Sequence, residues 1–410
     1  MKIKSVIGVL CAGLLLGGCA QRSNSSKFTG EKNTQPDYQS NLNMISPQAY
    51  SSINDLNLAP GTYISIIGKG KDSAYWKTVK RGAEQAAEDL NEKLGYTGND
   101  KIKVIYSAPD TTENIDQQVN LLDEELNRYP DAVGIACIDA AAYTTQFDQA
   151  EENGIPLVAF DSGNDYKDIL CISKTNNQEA AATGASKLCD ELGNKGKILV
   201  LASNSNSSSV MERVAGIRQE LESHPDVEIS KELYYDQIDE MKKAMADELC
   251  QEQEQKKAEE KAAEDPESAD NASDEEKNAE DDTEDQIDPA DITDVEVLEY
   301  YLEKDKEITG IYAVDESSVD WATQAKENML SDENLKLVGF DAGKEHLKAL
   351  EDEKIDGLVV QNPFGMGYAA VVSAARAILG IGNEAVVDTG YVWVTRDNLD
   401  TDSIQKVLYE

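Results

Sequence analysis

From Thr62 onward the chain repeats one pattern, a short β-branched run followed by an amphipathic helix. YISIIG leads into a helix predicted around Trp76–Leu94, with Val79, Ala83, Ala86, Ala87 and Leu90 on one face. KIKVIYSA precedes a helix around Ile115–Asn127, AVGIACI precedes one around Ala142–Asn153, and PLVAFD follows Pro156. After DILCIS come a helix through Ala180–Leu192, the strand KILVLA and a helix around Ser209–Glu222. EISKELYY opens a helix near Asp239; ITGIYAVD, KLVGFD and DGLVVQ are later strands, and a last helix runs near Met366–Leu379. Strands that read as continuous apolar runs and alternate with helices predict an α/β protein whose parallel sheets are covered on both faces. At 410 residues the chain can bury one large core or two of medium size.

One segment breaks the rhythm. Residues 251–299 hold 21 Asp and Glu against 4 Lys, which is −17 of a formal net charge of −41. Residues 251–294 have almost no apolar side chain, cannot offset their ordering entropy by burial, and are expected to be an acidic disordered insertion. It is read as interrupting a helix that starts near Asp239 and whose partner resumes near Val295, with helix-forming ends and a disordered middle. It lacks the glycine of an EF-hand loop, so a solvated charge run is favoured over a calcium site. An excess of 79 acidic over 38 basic side chains repels nucleic acid and anionic lipid, so neither is an expected partner.

The N-terminus carries an address. MKIKSVIGVLCAGLLLGGCA has Lys2 and Lys4, an apolar run too short to span a bilayer, then Gly17, Gly18 and Cys19. Leu16-Gly17-Gly18-Cys19 resembles a bacterial lipobox, which implies a signal peptide over 1–18 and a lipid on Cys19; an ordinary signal peptide with a chance Cys is the alternative. The stretch from 19 to 60 is rich in Ser, Asn, Gln and Pro and is read as a flexible tether. The protein is thus expected outside the cytoplasm, held at the cell membrane by lipid. Cys137, Cys171, Cys189 and Cys250 then remain, with no CxxC or His-paired spacing and only two histidines in the chain, so no metal site is expected. An exported protein can oxidise one cysteine pair, and the sequence does not choose it.

In open parallel sheets, ligands bind beyond the carboxyl ends of the strands. Asp72, Ser73, Tyr75 and Trp76 follow YISIIG, Asp139 follows GIACI, Asp161 and Ser162 follow LVAF, and Thr175 and Asn176 follow CISK. A Ser/Asn stretch and then Arg213 follow ILVLA, Asp315 and Glu316 follow GIYAV, Asp341 follows LVGF, and Gln361 and Asn362 follow GLVV. Any single Asp or Asn here is more simply a helix N-cap. Capping does not explain an aromatic pair, or an arginine among carboxylates. Sugar hydroxyls need acceptors such as Asp and forked donors such as Arg, and the apolar face of the ring stacks on Tyr or Trp. The inventory predicts a cleft for a neutral polyhydroxyl ligand, with core packing as the alternative role for Trp76.

DSAYWKTVKRGAEQAA, NGIPLVAFDSG, SSSVMERVAGI, LKLVGFDAG and VVQNPFGMGYAA, in that order, resemble the type I periplasmic sugar-binding proteins, the ribose/galactose/autoinducer-2 group of ABC-transporter receptors. The likeness covers about 62–408 apart from the acidic insertion. It implies two doubly wound parallel-sheet lobes joined by a three-crossing hinge, lobe one at 61–174 plus 362–391 and lobe two at 175–361 plus 392–410. It also implies ligand contacts by Tyr75, Trp76, Asp161, Arg213, Asp341 and the hinge residue Gln361, with Asp72, Asp139 and Asp315 as further candidates. Two departures bear on the ligand. The ribose receptors have Arg where this chain has Ser162, and Asn where it has Val314, so the hydroxyl pattern read here is not simply that of ribose. The implied function is a monomeric, lipid-anchored receptor that delivers a sugar to an ABC permease, without a cofactor. The alternative is a sensor that presents the sugar to a membrane histidine kinase or chemoreceptor. A lactose-repressor-type regulator needs an N-terminal helix-turn-helix where the lipobox stands. No Ser/His, Cys/His or metal constellation supports an enzyme.

Overall fold

The computed structural model describes residues 36–264, 287–329 and 334–409. The signal sequence over 1–18, Cys19 and the centre of the acidic segment lie outside the described residues. A short helix, α1 (Gln39–Asn43), precedes β1 (Tyr63–Ile67), α2 (Ala74–Leu94), β2 (Lys103–Ser107), α3 (Ile115–Leu126), β3 (Ala132–Ile135), α4 (Thr144–Glu152), β4 (Leu157–Phe160) and β5 (Ile169–Lys174). Then come α5 (Asn177–Glu191), β6 (Gly196–Ala202), α6 (Ser208–Leu221), β7 (Val227–Tyr234), α7 (Ile238–Glu264), α8 (Asp294–Lys304), β8 (Ile308–Ala313), α9 (Glu316–Asn328), β9 (Lys336–Phe340), α10 (Lys344–Glu351) and β10 (Gly357–Gln361). The chain closes with α11 (Pro363–Ile378), β11 (Val386–Asp388), β12 (Tyr391–Val394) and α12 (Asp402–Gln405).

The strands form two six-stranded sheets, β11-β5-β4-β3-β1-β2 and β12-β10-β9-β8-β6-β7. The chain passes between them after Lys174, after Gln361 and after Asp388. Both sheets are doubly wound and parallel except where β12 runs antiparallel to β10, Leu358 opposite Val394. The parallel strands are buried on both faces because helices cover each side; every residue of β3 and β4 is buried.

Two devices aim the elements at the gap between the sheets. Ser73 caps α2, its hydroxyl accepting from the Trp76 amide at 3.3 Å, so the helix begins with its aromatic pair at the end of β1. Further along, α2 crosses α11 almost backbone to backbone. A Cβ on Gly82 would lie 2.0 Å from the Phe364 carbonyl oxygen, and one on Gly367 would lie 1.9 Å from that of Val79. In the other half of this lobe, the buried Gln118 amide of α3 donates to the carbonyls of Gly68 and Ala136, both at 2.8 Å, and ties together the ends of β1 and β3.

Two segment boundaries differ from expectation. The tether predicted over 19–60 is structured from residue 37: Leu42, Ile45, Tyr50, Leu56 and Leu58 are buried in the core. Ser46 pairs with Asp388 in an isolated bridge. A polar average over the segment hides these five apolar anchors, spaced as a strap rather than as a helix or strand. The acidic insertion is also shorter than 251–294. Helix α7 continues to Glu264, and Ile292 is buried while Asp294 pairs with Lys242 at 2.6 Å. The return into the fold therefore begins before α8, at Ile287, whose amide meets the Cys250 sulfur at 3.4 Å.

Candidate functional site

The carboxyl ends of the two sheets face each other across a cleft that encloses a cavity of about 60 Å3. Strand β4 of the first lobe and β9 of the second are each followed directly by an aspartate with left-handed backbone, Asp161 at φ 60° and Asp341 at φ 70°. Asp tolerates this conformation better than most residues, and here it turns a buried carboxylate out of each strand toward the cleft.

Around Asp161 the first lobe supplies Tyr75, whose hydroxyl donates to Oδ1 at 2.6 Å, and Lys69, whose ammonium lies 3.1 Å from Oδ2. Both partners of the ion pair are almost wholly buried. Burial alone pushes the Asp161 carboxyl up, but Lys69, the Tyr75 hydroxyl and Arg213 together hold it below its ordinary value. Around Asp341 the second lobe and the hinge supply Gln361 at 2.9 Å and Tyr409 at 2.8 Å, both donating to Oδ1. Burial pushes the Asp341 carboxyl up, countered only in part by Arg213, Gln361 and Tyr409. Gln361 in turn accepts from the Thr175 hydroxyl at 2.9 Å, which joins two of the three hinge crossings directly.

Arg213 comes from α6, 3% exposed. Its Nε donates to Asn177 at 2.9 Å and its NH1 to the Val314 carbonyl at 2.6 Å, while the guanidinium lies 4.3 Å over the Phe340 ring. Tyr75 and Trp76 meet edge to face at 5.0 Å, and Trp76 also packs against Phe160 at 6.5 Å. Trp76 thus borders the cleft and is packed into the core as well, so burial by itself does not separate the two roles read from the sequence. The chemistry on offer is an aromatic wall, one forked cation, one ammonium and carboxylates from both lobes. That set can recognise hydroxyl groups by number and direction.

Tyr75, Trp76, Asp161, Arg213, Asp315, Asp341 and Gln361 all line the cavity. Asp315 does so with both carboxylate oxygens committed, Oδ1 to the Ser318 amide at 2.9 Å and Oδ2 to the Ser203 amide and hydroxyl at 2.8 and 2.9 Å. It is a helix cap that fixes the β6 loop. Asp72 is exposed and does not line the cavity. Asp139 does not either: its carboxylate turns back onto the Ala141 amide at 2.6 Å, as a short acidic side chain does at the start of a turn. The sequence reading missed Lys69, Glu113 and Tyr409. Lys69 stands in GKGKD, which looks like a turn, yet its side chain folds back into the cleft. Glu113 lies in the loop after β2, whose sequence DTTEN carries the same polar signal as the other strand-end loops. Burial pushes the Glu113 carboxyl up, with Lys69 opposing. Glu316, named above only as following its strand, also lines the cleft, and burial together with nearby Asp341 pushes it to about 7.

Residues 64–258 and 277–382 match the model of the periplasmic binding protein domain family. A curated xylitol-binding protein of Mycolicibacterium smegmatis is 25% identical over 177 residues, 42% of this chain and 50% of that protein. A D-apiose import binding protein of Actinobacillus succinogenes is 23% identical over 188 residues, 44% of this chain and 56% of that one. The match thus spans about half the length of these curated relatives. Among solved structures, an Agrobacterium radiobacter carbohydrate-transporter solute-binding protein in complex with D-arabinose superposes with a TM-score of 0.64 at 21% identity, over 85% of this chain and 98% of that one. An Agrobacterium vitis solute-binding protein bound to α-D-tagatopyranose gives 0.66 at 18% identity, over 85% and 99%. With well over half of its residues matched by the family model, this chain belongs to the periplasmic binding protein domain family, one of binding proteins and not of enzymes.

Proposed function

We propose that this protein is an extracytoplasmic receptor that captures a monosaccharide or a related polyol between its lobes and delivers it to an ABC permease. The observation that carries this reading is the pair of left-handed aspartates, Asp161 and Asp341, facing one buried cleft with Arg213 and the Tyr75–Trp76 pair. Tyr75, Trp76, Asp161, Arg213, Asp341 and Gln361 are assigned as ligand contacts, and Lys69 joins them. A volume of about 60 Å3 is well below the several hundred Å3 of small-molecule sites, so ligand enters as the lobes part and leaves the same way. The named ligands of the relatives, xylitol, D-apiose, D-arabinose and tagatose, support the same class. Lipidation of Cys19 would hold the receptor beside its permease as a monomer.

A thermal-shift screen of the purified protein against pentoses, ketohexoses and pentitols tests the reading. A ligand present at about 100 times its Kd adds about 2.7 kcal/mol to the native state, a shift of several degrees. If no sugar or polyol moves the melting temperature and calorimetry also finds no heat of binding, the reading is wrong. For the anchor, Cys19→Ala should move the protein from the membrane fraction to the soluble one; unchanged sedimentation with membranes would remove lipidation from the proposal.

A further inference from the structure

The Ser/Asn run between β6 and α6 lies at the seam of the two lobes. Its side chains and backbone make contact with the first lobe at three residue pairs. The Lys69 ammonium donates to the Ser207 hydroxyl at 3.0 Å. The Gly163 amide donates to the Ser208 hydroxyl at 3.0 Å, and that hydroxyl lies 3.3 Å from the Gly163 carbonyl. The Ala140 amide donates to the Asn206 carbonyl at 3.3 Å. The run is also fastened to its own lobe: the Ser205 amide and hydroxyl donate to Asp236 at 2.9 and 2.7 Å, and the Asn206 amide donates to Asn204 at 2.7 Å.

This is an unusual use of seven consecutive small polar residues, 203–209. Apolar residues there would weld the lobes shut, and long charged ones would lose more rotamer freedom on each closure. Short hydroxyls and amides bond across the seam when it is closed and bond to water when it opens, so the net difference per group is small and the contact reversible. Ser208 is the clearest case. It does not line the ligand cavity, yet its hydroxyl is held against both backbone groups of Gly163, two residues beyond Asp161.

We infer that the run 203–209, the β6–α6 connection together with the start of α6, is a polar latch that sets the fraction of molecules with closed lobes, and that Ser208 is a positioning residue for ligand binding without touching ligand. The inference rests on the receptor reading for its ligand arm only. When only closed molecules hold ligand tightly, lowering the closed fraction raises the apparent Kd by the same factor.

The test compares wild type, Ser208→Ala and Ser208→Thr in two arms. Small-angle scattering of the unliganded proteins reads closure directly: Ser208→Ala should show a larger radius of gyration, and Ser208→Thr, which restores the hydroxyl, should return toward wild type. Binding is then measured with D-arabinose, D-tagatose and xylitol as probes. Ser208→Ala should bind about 3–10-fold more weakly through faster dissociation, with the rank order of the three probes unchanged because no ligand contact is altered. An unchanged radius together with unchanged affinity in Ser208→Ala overturns the latch, and so does a changed rank order, which would make Ser208 a ligand contact. If wild type binds none of the three probes, the receptor reading is judged by the wider sugar and polyol screen, and the scattering arm alone decides the latch.

Discussion

Arg213 reaches the cleft with two donors already committed, one to Asn177 and one to the Val314 carbonyl. Its plane is fixed further by the Phe340 ring. The remaining edge of the fork is therefore aimed before any ligand arrives, and that preorganisation depends on a planar group with several donors. Arg213→Lys keeps the charge but cannot satisfy both partners and still present a donor to the cleft. Ligand affinity should fall tenfold or more, and stability by about 1–3 kcal/mol as a buried acceptor is left unpaired. Calorimetric titration and melting of the same variant measure the two effects, and wild-type affinity would remove Arg213 from the ligand shell. Glu316 makes a second prediction at this scale. Burial raises its carboxyl from 4.5 to about 7, and Asp341 and Asp320 add to the rise while Ser73 and His346 oppose it. Between these values the closed protein holds a proton that the opened or unfolded chain has lost. Stability from this group is thus full below about pH 4.5 and is lost as pH rises to about 7. His346, raised largely by its bond to Asp320 against the effect of burial, works in the same direction. Asp161, depressed, works oppositely and only in acid. The melting temperature should decline from pH 5 to 7, and Glu316→Gln should flatten that slope. An identical slope in the variant would rule out Glu316 as its source.

The elements themselves follow from local pattern, because a helix or strand covered on known faces needs only its own periodicity to be recognised. Helices α2, α3, α6 and α11 begin and end within a few residues of where their apolar faces predict. The segments that depart from their local pattern are those whose order comes from distant partners. Residues 287–294 read as part of an acidic run, yet Ile292 is buried, Asp294 pairs with Lys242, and the Asp294 carbonyl accepts from the Trp321 indole at 2.7 Å. This separates two deletions. Replacing 265–286, which has no apolar residue larger than alanine or proline, by a short Gly/Ser linker should leave stability unchanged within about 0.5 kcal/mol. Extending the cut to 294 removes Ile292 and the Asp294 contacts and should cost about 3 kcal/mol or more. Chemical denaturation of both deletions compares them, and equal stabilities would show that the return segment is dispensable.

For the whole molecule, the alternation of strand and helix dictated parallel sheets, since each parallel neighbour needs a crossover long enough to be a helix. Two lobes and a hinged cleft are what the resemblance carried by the five motifs implies, and strand-end position singles out most of the residues that line the cleft. Position along the chain decides this much because the carboxyl ends of parallel strands all open on one side. It could not decide where each side chain points from there. Asp72 and Asp139 stand at strand ends and turn away, while Lys69 folds inward to pair with Asp161. Tyr409, hundreds of residues from β1, reaches Asp341 and packs its ring 6.0 Å from Tyr75. Nor does local polarity reveal that residues 37–60 form a strap, because what orders them is a surface made by α11 and β11 more than 300 residues later. Pattern along the chain determined the alternating α/β architecture and the sheet edges at which the cleft lies. Burial, charge pairing and chain crossings, which exist only once both lobes are built, decided which groups line the cleft there.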